Sequence, residues 1–320
     1  GLTTATGTVG SGNWYNFTYT YVESSGGASA QIRILSATGD TDGTFAIDEV
    51  YIREVGTASG WTDADQQLDI PQTALQSYNQ LAWFPGSDPG TDYDVDCTSD
   101  SDIDDVFDGG GTFSAWIFPN GLGVSTGRIA DKGTWFFYLG DESGSTCDLK
   151  FKFFTDADDS VTTTTDRLIT YGKWYHVAVT YDASSAATPA VIYINGESVA
   201  VTESTNGDGT RDSDAGYTLT LGNQTAGART WDGTMTEVSM WNDVFTQAEV
   251  NELYNDGKVL DAREHSVYTS ASTNLKGYWK NNGLATWIDY SDYENHGTVN
   301  NLTETLLLPA GVDASRDNQG

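Results

Sequence analysis

The plainest pattern along the chain is a period of two in residues 173–182. Tyr175, Val177, Val179 and Tyr181 fall on one side, and Trp174, His176, Ala178 and Thr180 on the other. An alternating run of β-branched and aromatic residues is a strand signal. Residues 191–194 read as a second strand ending in Asn195-Gly196, a dipeptide that tolerates the positive φ of a tight hairpin, so residues 197–201 are expected to return as its partner. The same alternation recurs at residues 14–21, 113–118, 135–139, 149–154 and 235–241, with a long strand at 45–55 and shorter strand-like runs at 31–35, 81–84, 128–133 and 217–223. A helical period stands out once. Val250, Leu253 and Tyr254 share a face of residues 246–256, Thr246 and Glu249 form a capping box, and Gly257 ends the helix. These elements predict an all-β protein, an antiparallel β-sandwich with one short helix near its C-terminal end.

Composition agrees. Hydrophobic residues are 38% and aromatic residues 12% of 320, which supplies a core and argues against disorder. The formal charge of -31 comes from 46 acidic residues against only 15 Lys and Arg. Such a surface repels phosphate backbones and anionic bilayers, which excludes nucleic acid as a partner. It suits solubility in salty surroundings, or carboxylate clusters that hold Ca²⁺. The absence of any apolar run of ~18 residues gives no transmembrane helix, so membrane insertion is not expected. With no initiating Met and no signal-peptide pattern, the chain reads as a piece of a longer polypeptide. Cys97 and Cys147 can form one disulfide or stay as two buried thiols.

Four segments follow. Residues 1–56 form a partial β module: Gly12-Asn13-Trp14-Tyr15 and Phe45-Ala46-Ile47-Asp48-Glu49-Val50 resemble an inner strand and the last strand of the jelly-roll carbohydrate-binding modules found beside glycosidases. The likeness covers the back half of such a module, so its sugar-binding residues do not transfer. Residues 57–80 are a polar linker with Pro71 and one helical turn over 73–78. Residues 81–260 carry, in order, Phe113-Ser114-Ala115-Trp116-Ile117, Trp174-Tyr175-His176-Val177-Ala178, Tyr193-Ile194-Asn195-Gly196, Leu221-Gly222-Asn223, then Asp232-Gly233, Glu237-Val238 and Trp241-Asn242 before the helix. That set resembles the laminin-G-like domains of concanavalin A-like, pentraxin-related architecture, and implies an antiparallel jelly-roll sandwich. In residues 261–320, the stretches 275–280, 286–289 and 295–298 resemble the segment that usually begins such a domain. Either they complete a circularly permuted sandwich, with residues 303–309 as an edge strand before the tail, or they start a truncated second copy. Permutation is the preferred reading.

Catalytic templates fail. Gly123-Val124-Ser125-Thr126-Gly127 matches G-x-S-x-G but lies between two strands, whereas a nucleophile elbow leads into a helix. His176, His265 and His296 lack metal-ligand spacing, and His176 reads as a packed strand residue. The paired carboxylates of concanavalin-like glycanases, E-x-D-x-x-E, do not occur, and the adjacent Asp48 and Glu49 face opposite sides of a strand. No enzymatic activity is expected. The acidic runs 92–96 and 100–105 offer oxygen ligands without the spacing of an EF-hand. The resemblance implies Ca²⁺ in the loops at the sandwich rim, with Asp88, Asp92, Asp94, Asp232 and Glu237 as candidates. Sugar binding needs aromatic faces ringed by polar groups; Trp135, Trp231, Trp287 and Tyr171 are candidates, with packing as the competing role of each.

The reading is a non-enzymatic structural or adhesion protein, on a virion surface or extracellular, similar to marine phage fibre and decoration proteins. It would present its laminin-G-like domain to a glycan or surface receptor, and would self-associate or join other virion or surface proteins. Two alternatives stand beside it. One is a carbohydrate-binding module of a secreted bacterial glycosidase. The other is a purely architectural virion or filament subunit whose edge strands pair with neighbouring copies.

Overall fold

A computed structural model describes residues 81–305, apart from 88–91, 226 and 270–273. The half-module at 1–56, the linker, Asp88 and the tail lie outside the described residues.

In chain order the strands are β1 (Leu81–Pro85), β2 (Asp94–Asp96), β3 (Gly111–Pro119), β4 (Arg128–Asp131), β5 (Trp135–Ser143) and β6 (Thr146–Phe153). They continue with β7 (Ser160–Thr164), β8 (Ile169–Thr170), β9 (Tyr175–Tyr181), β10 (Val191–Ile194), β11 (Glu197–Ser198) and β12 (Val201–Thr205). Last come β13 (Thr220–Leu221), β14 (Asp232–Trp241), the helix α1 (Gln247–Tyr254), β15 (Leu275–Trp279), β16 (Thr298–Asn300) and β17 (Thr303–Thr305). Among the described residues they build two sheets. The first runs β11-β10-β9-β3-β14-β1-β17, with β15 also on β14. The second runs β12-β7-β6-β5-β4-β13-β2-β16, with β8 also on β6. Every pairing between these strands is antiparallel. This is the all-β sandwich that the alternation predicts.

The period of two decides what lies between the sheets. Phe113, Ala115 and Ile117 of β3, Val177, Val179 and Tyr181 of β9, and Met235, Val238 and Met240 of β14 face Phe137 and Leu139 of β5 and Leu149, Phe151 and Phe153 of β6. At ~25 cal/mol per Å² of apolar surface removed from water, this interleaved layer is the main stabilising term. A second, smaller cluster covers part of the first sheet's outer face. Val250 and Leu253 of α1, with Phe245, Ala262, Leu275 and Tyr278, pack on Ala178, Tyr193 and Trp241. The capping box is present: the Thr246 side chain accepts from the Glu249 N–H, and the Glu249 carboxylate accepts from Thr246 N at 2.6 Å.

Several expectations need correction. The return strand after Asn195-Gly196 stops at Ser198, and Val201 starts β12 in the other sheet. The turn itself has the expected positive φ at both residues, 53° and 80°. The expected strand 217–223 shrinks to two residues, with Tyr217 exposed. β7 is a further strand beyond those the alternation predicts, formed by the β-branched run Val161-Thr162-Thr163-Thr164. Cys97 and Cys147 are free buried thiols, and burial raises both pKa values. Residues 123–127 form a loop, with Ser125 and Thr126 at positive φ, and lead into β4 rather than a helix. Among the described residues no helix is long and apolar enough to cross a membrane.

Candidate functional site

Three of the four aromatic candidates are core residues. Trp135, Trp231 and Trp287 are each 0% exposed, so none can stack on a sugar. Trp135 lies edge-on to Phe107, and its Nε1 donates to Asp214 at 3.0 Å. Trp287 lies edge-on to Phe84 and donates to the Gly283 carbonyl. Trp231 is enclosed, its Nε1 without a partner. Spacing alone could not separate them from surface aromatics, because each stands at the mouth of a strand or loop whose burial depends on the opposite sheet. Tyr171 is half-buried, and its hydroxyl donates to Glu142 at 2.7 Å.

The aromatics that do reach solvent as a group lie elsewhere. Trp83, Phe118 and Trp174 are partly exposed on the outer face of the first sheet. Their ring centroids are 6.3 Å apart for Trp83–Phe118 and 5.6 Å for Phe118–Trp174. Strand register puts them in one row. Phe84 pairs with Gly233 and Phe118 with Thr234, so Trp83 stands across Thr234 from Phe118. Ile117 pairs with Tyr175, which brings Phe118 opposite Trp174. No cation lies over these rings among the described residues, and neither Trp83 nor Trp174 donates its indole N–H within them.

The row is held from below. Thr234 Oγ1 donates to the Ala82 carbonyl at 2.7 Å. The buried Asn281 amide donates to Thr234 Oγ1 and the Met235 carbonyl, and accepts from the Ala82 and Gly283 N–H groups. One residue thus fastens β1 to β14 where β15 ends. Toward the rim, Asp232 and Asn120 lie one step beyond Thr234 and Phe118 on the same face. Asn120 Nδ2 donates to both Asp232 oxygens, at 3.1 and 3.2 Å, while burial raises the pKa of this carboxyl. Two glycines make room for it. A Cβ on Gly121 would come within 2.5 Å of Asp232 Oδ2, and one on Gly86, whose φ is 60°, within 2.5 Å of Asp232 Cβ. On the other side the row meets α1: Tyr254 stacks on Trp116 at 5.8 Å, and His176 packs against both.

The described calcium candidates, Asp92, Asp94, Asp232 and Glu237, do not converge. Asp94 is buried, accepts from Asn300 at 2.7 Å, and is raised to about 6 mainly by desolvation. Asp92 is exposed on the far side of the connection, its main-chain carbonyl accepting from Asn301. Glu237 sits on the β14 bulge at φ 51° and accepts from the Tyr278 hydroxyl; burial raises it to about 7. Among the described residues no three His, Cys, Asp or Glu side chains form a metal group. At the rim, Asp232 and the Asn120 amide supply two side chains where Ca²⁺ takes six to eight oxygens. The described donors therefore do not fit the ion.

With this geometry in view, a family profile matches residues 89–251, that of the Concanavalin A-like lectin/glucanases superfamily. The chain belongs to this superfamily. The laminin-G-like resemblance of the strand blocks falls inside the matched span. No match was found among curated proteins. A putative carbohydrate-binding protein from Bacteroides ovatus is similar at 18% identity over 73% of this chain and 61% of that one, with a TM-score of 0.46. A heptameric SAP-like pentraxin from Limulus polyphemus is similar at 16% identity over 55% of this chain and 82% of that one, with a TM-score of 0.41. Domains LG4-5 of mouse laminin α1 are similar at 14% identity over 51% and 41%, with a TM-score of 0.33. At these identities and scores none of them assigns a ligand to this chain.

Proposed function

We propose that this superfamily member is a non-enzymatic glycan-binding adhesion module, and that the row Trp83–Phe118–Trp174 is its binding surface. The observation that carries the reading is the row itself: three partly exposed rings side by side on one sheet face, with two indole N–H groups that donate to no described residue and the Asp232–Asn120 pair at the margin. Aromatic faces stack on the C–H face of a sugar ring, and nearby polar groups orient its hydroxyls. The work is done outside the cell or on a virion surface, where the acidic surface also keeps the protein soluble. Calcium has no part in this proposal.

A glycan array probed with the full chain tests it. Retention on sugar features is expected, lost in the variant combining Trp83→Ala and Trp174→Ala. Retention unchanged in that variant, or no retention by the parent protein, would sink the proposal. Immunogold labelling of intact particles and of cell surfaces would separate the virion setting from the secreted one.

A further inference from the structure

We infer that the row takes a neutral, single-chain glycan rather than a crystalline surface, a reading that rests on the glycan-binding role proposed above. The first ground is ring orientation. Phe118 is turned 55° from Trp83 and 60° from Trp174. Coplanar rings offer a flat platform for a polysaccharide crystal. Rings tilted against their neighbours offer a separate face to each successive unit of one chain. The second ground is the wall beside the row. Tyr254 of α1 stands on Trp116, two residues from Phe118 along β3, so the helix rises next to the rings. A helix with its side chains is ~10 Å across. A flat crystalline surface would meet the helix before it met the row, whereas a single chain passes alongside.

Length and charge narrow the ligand further. The centroid steps of 6.3 and 5.6 Å give the row a reach of at most about 12 Å. That is the reach of a short oligosaccharide rather than of one monosaccharide. The charged group described at the margin is the Asp232 carboxylate, the central strands β1, β3, β9 and β14 contain no Lys or Arg, and the whole chain carries -31. The exposed Lys173 beside Trp174 is one cation against that carboxylate and an acidic surface, so an acidic glycan would meet net like charge and neutral sugars are selected.

The test uses the full chain and calorimetry or affinity electrophoresis with three classes of probe. These are soluble neutral oligo- and polysaccharides, insoluble crystalline cellulose and chitin, and acidic polyuronates and sialylated oligosaccharides. Binding is expected to the first class alone. Trp174→Ala and Trp83→Ala should each weaken it about tenfold, the scale of one lost stacking contact. Trp174→Tyr, which keeps a ring, should retain most of the affinity, and thermal unfolding checks that each variant is folded. If the parent binds no probe of any class, the glycan reading itself falls and this inference with it. If it binds crystalline or acidic probes and Trp174→Ala abolishes that binding, the glycan reading stands and the inference is overturned. Binding of neutral chains that neither tryptophan variant disturbs overturns the assignment to this row.

Discussion

The outer faces of both sheets carry aromatic side chains, and they use them in opposite ways. On the second sheet, Arg128 lies over Phe136 at 3.7 Å and over Tyr138 at 4.6 Å, and Lys152 lies over Phe154 at 4.3 Å. Each cation has its own carboxylate: Asp131 for Arg128, Asp159 for Lys152, and Asp141 for the neighbouring Lys150. Phe136 and Tyr138 are consequently covered, 8% and 9% exposed. On the first sheet, no cation among the described residues lies over Trp83, Phe118 or Trp174. The difference arises in the strands. β6 reads Lys150-Phe151-Lys152-Phe153, which alternates a cation outward with an aromatic inward, while β1, β3, β9 and β14 offer no cation at all. On the second sheet paired cations cover the outward aromatics; on the first, the α1 region covers Trp116, Tyr193 and Trp241 and leaves Trp83, Phe118 and Trp174 partly exposed.

The largest effect that would break this contrast is on the second sheet. Arg128 and Asp131 are both nearly buried and 3.3 Å apart, and desolvation lowers the arginine pKa and raises that of the aspartate. Removing one partner of a buried pair leaves the other uncompensated. Arg128→Met should therefore destabilise the fold by about 3 kcal/mol, read from denaturant unfolding. Adding Asp131→Asn should restore most of the loss, and glycan affinity should not change in either protein. A loss of affinity in the folded double variant would show that the second face also binds.

Next in size is the support under the open row. Asn281→Ala removes one donor group and one acceptor from the β1–β14–β15 junction and leaves the Ala82 N–H and the Met235 carbonyl unpaired. About 2 kcal/mol of stability should go, from buried polar groups left without partners. Hydrogen exchange at Ala82 should accelerate more than exchange in β5 and β6. Equal acceleration in both sheets would mean that Asn281 supports the whole sandwich rather than the row.

Between faces, paired truncations give the sharpest reading. Trp174→Ala should cost about tenfold in glycan affinity with little change in stability. Phe136→Ala should do the reverse, because its ring is covered by Arg128 and touches Tyr138 and Phe154. Matched losses of affinity in the two variants would erase the distinction between the faces.

Much of this was legible in the sequence. Alternation gave the strands, the two faces of β9 and the helix with its cap, because those depend on local periodicity. The row is not legible in it, although the alternation puts Trp174 and His176 on the face opposite Val177. What was missing is register. Trp83, Phe118 and Trp174 lie on strands that are far apart in the chain, and they become neighbours through pairings with β14 and β9 that no local pattern fixes. Trp135, Trp231 and Trp287 failed as candidates for the complementary reason: their burial is imposed by the facing sheet and the connecting loops. Asn281 carries no sequence signal, since an Asn after a strand is ordinarily a turn residue.

The smallest expected effect concerns a carboxyl. On the second sheet, acids touch cations. On the first, Glu237 has the Tyr278 hydroxyl in contact, and Lys280 lowers its pKa only in part, so burial dominates and holds it at about 7 against an ordinary 4.5. A carboxyl raised on folding binds its proton more tightly in the native state. Stability should then be fully present below about pH 4.5 and decline as pH rises through about 7, on top of whatever other groups contribute. Asp94, raised to about 6 by desolvation, adds to the same slope over a lower interval. Glu237→Gln keeps an acceptor for Tyr278 and removes the proton. It should stabilise the protein by about 1 kcal/mol at pH 8, the full shift being discounted for partial exposure, and leave it unchanged near pH 4. Thermal unfolding of both proteins from pH 4 to 8 measures this. A variant less stable than the parent at pH 8 would mean that the Glu237 charge is used by Lys280, and that the first sheet pairs its charges as the second does.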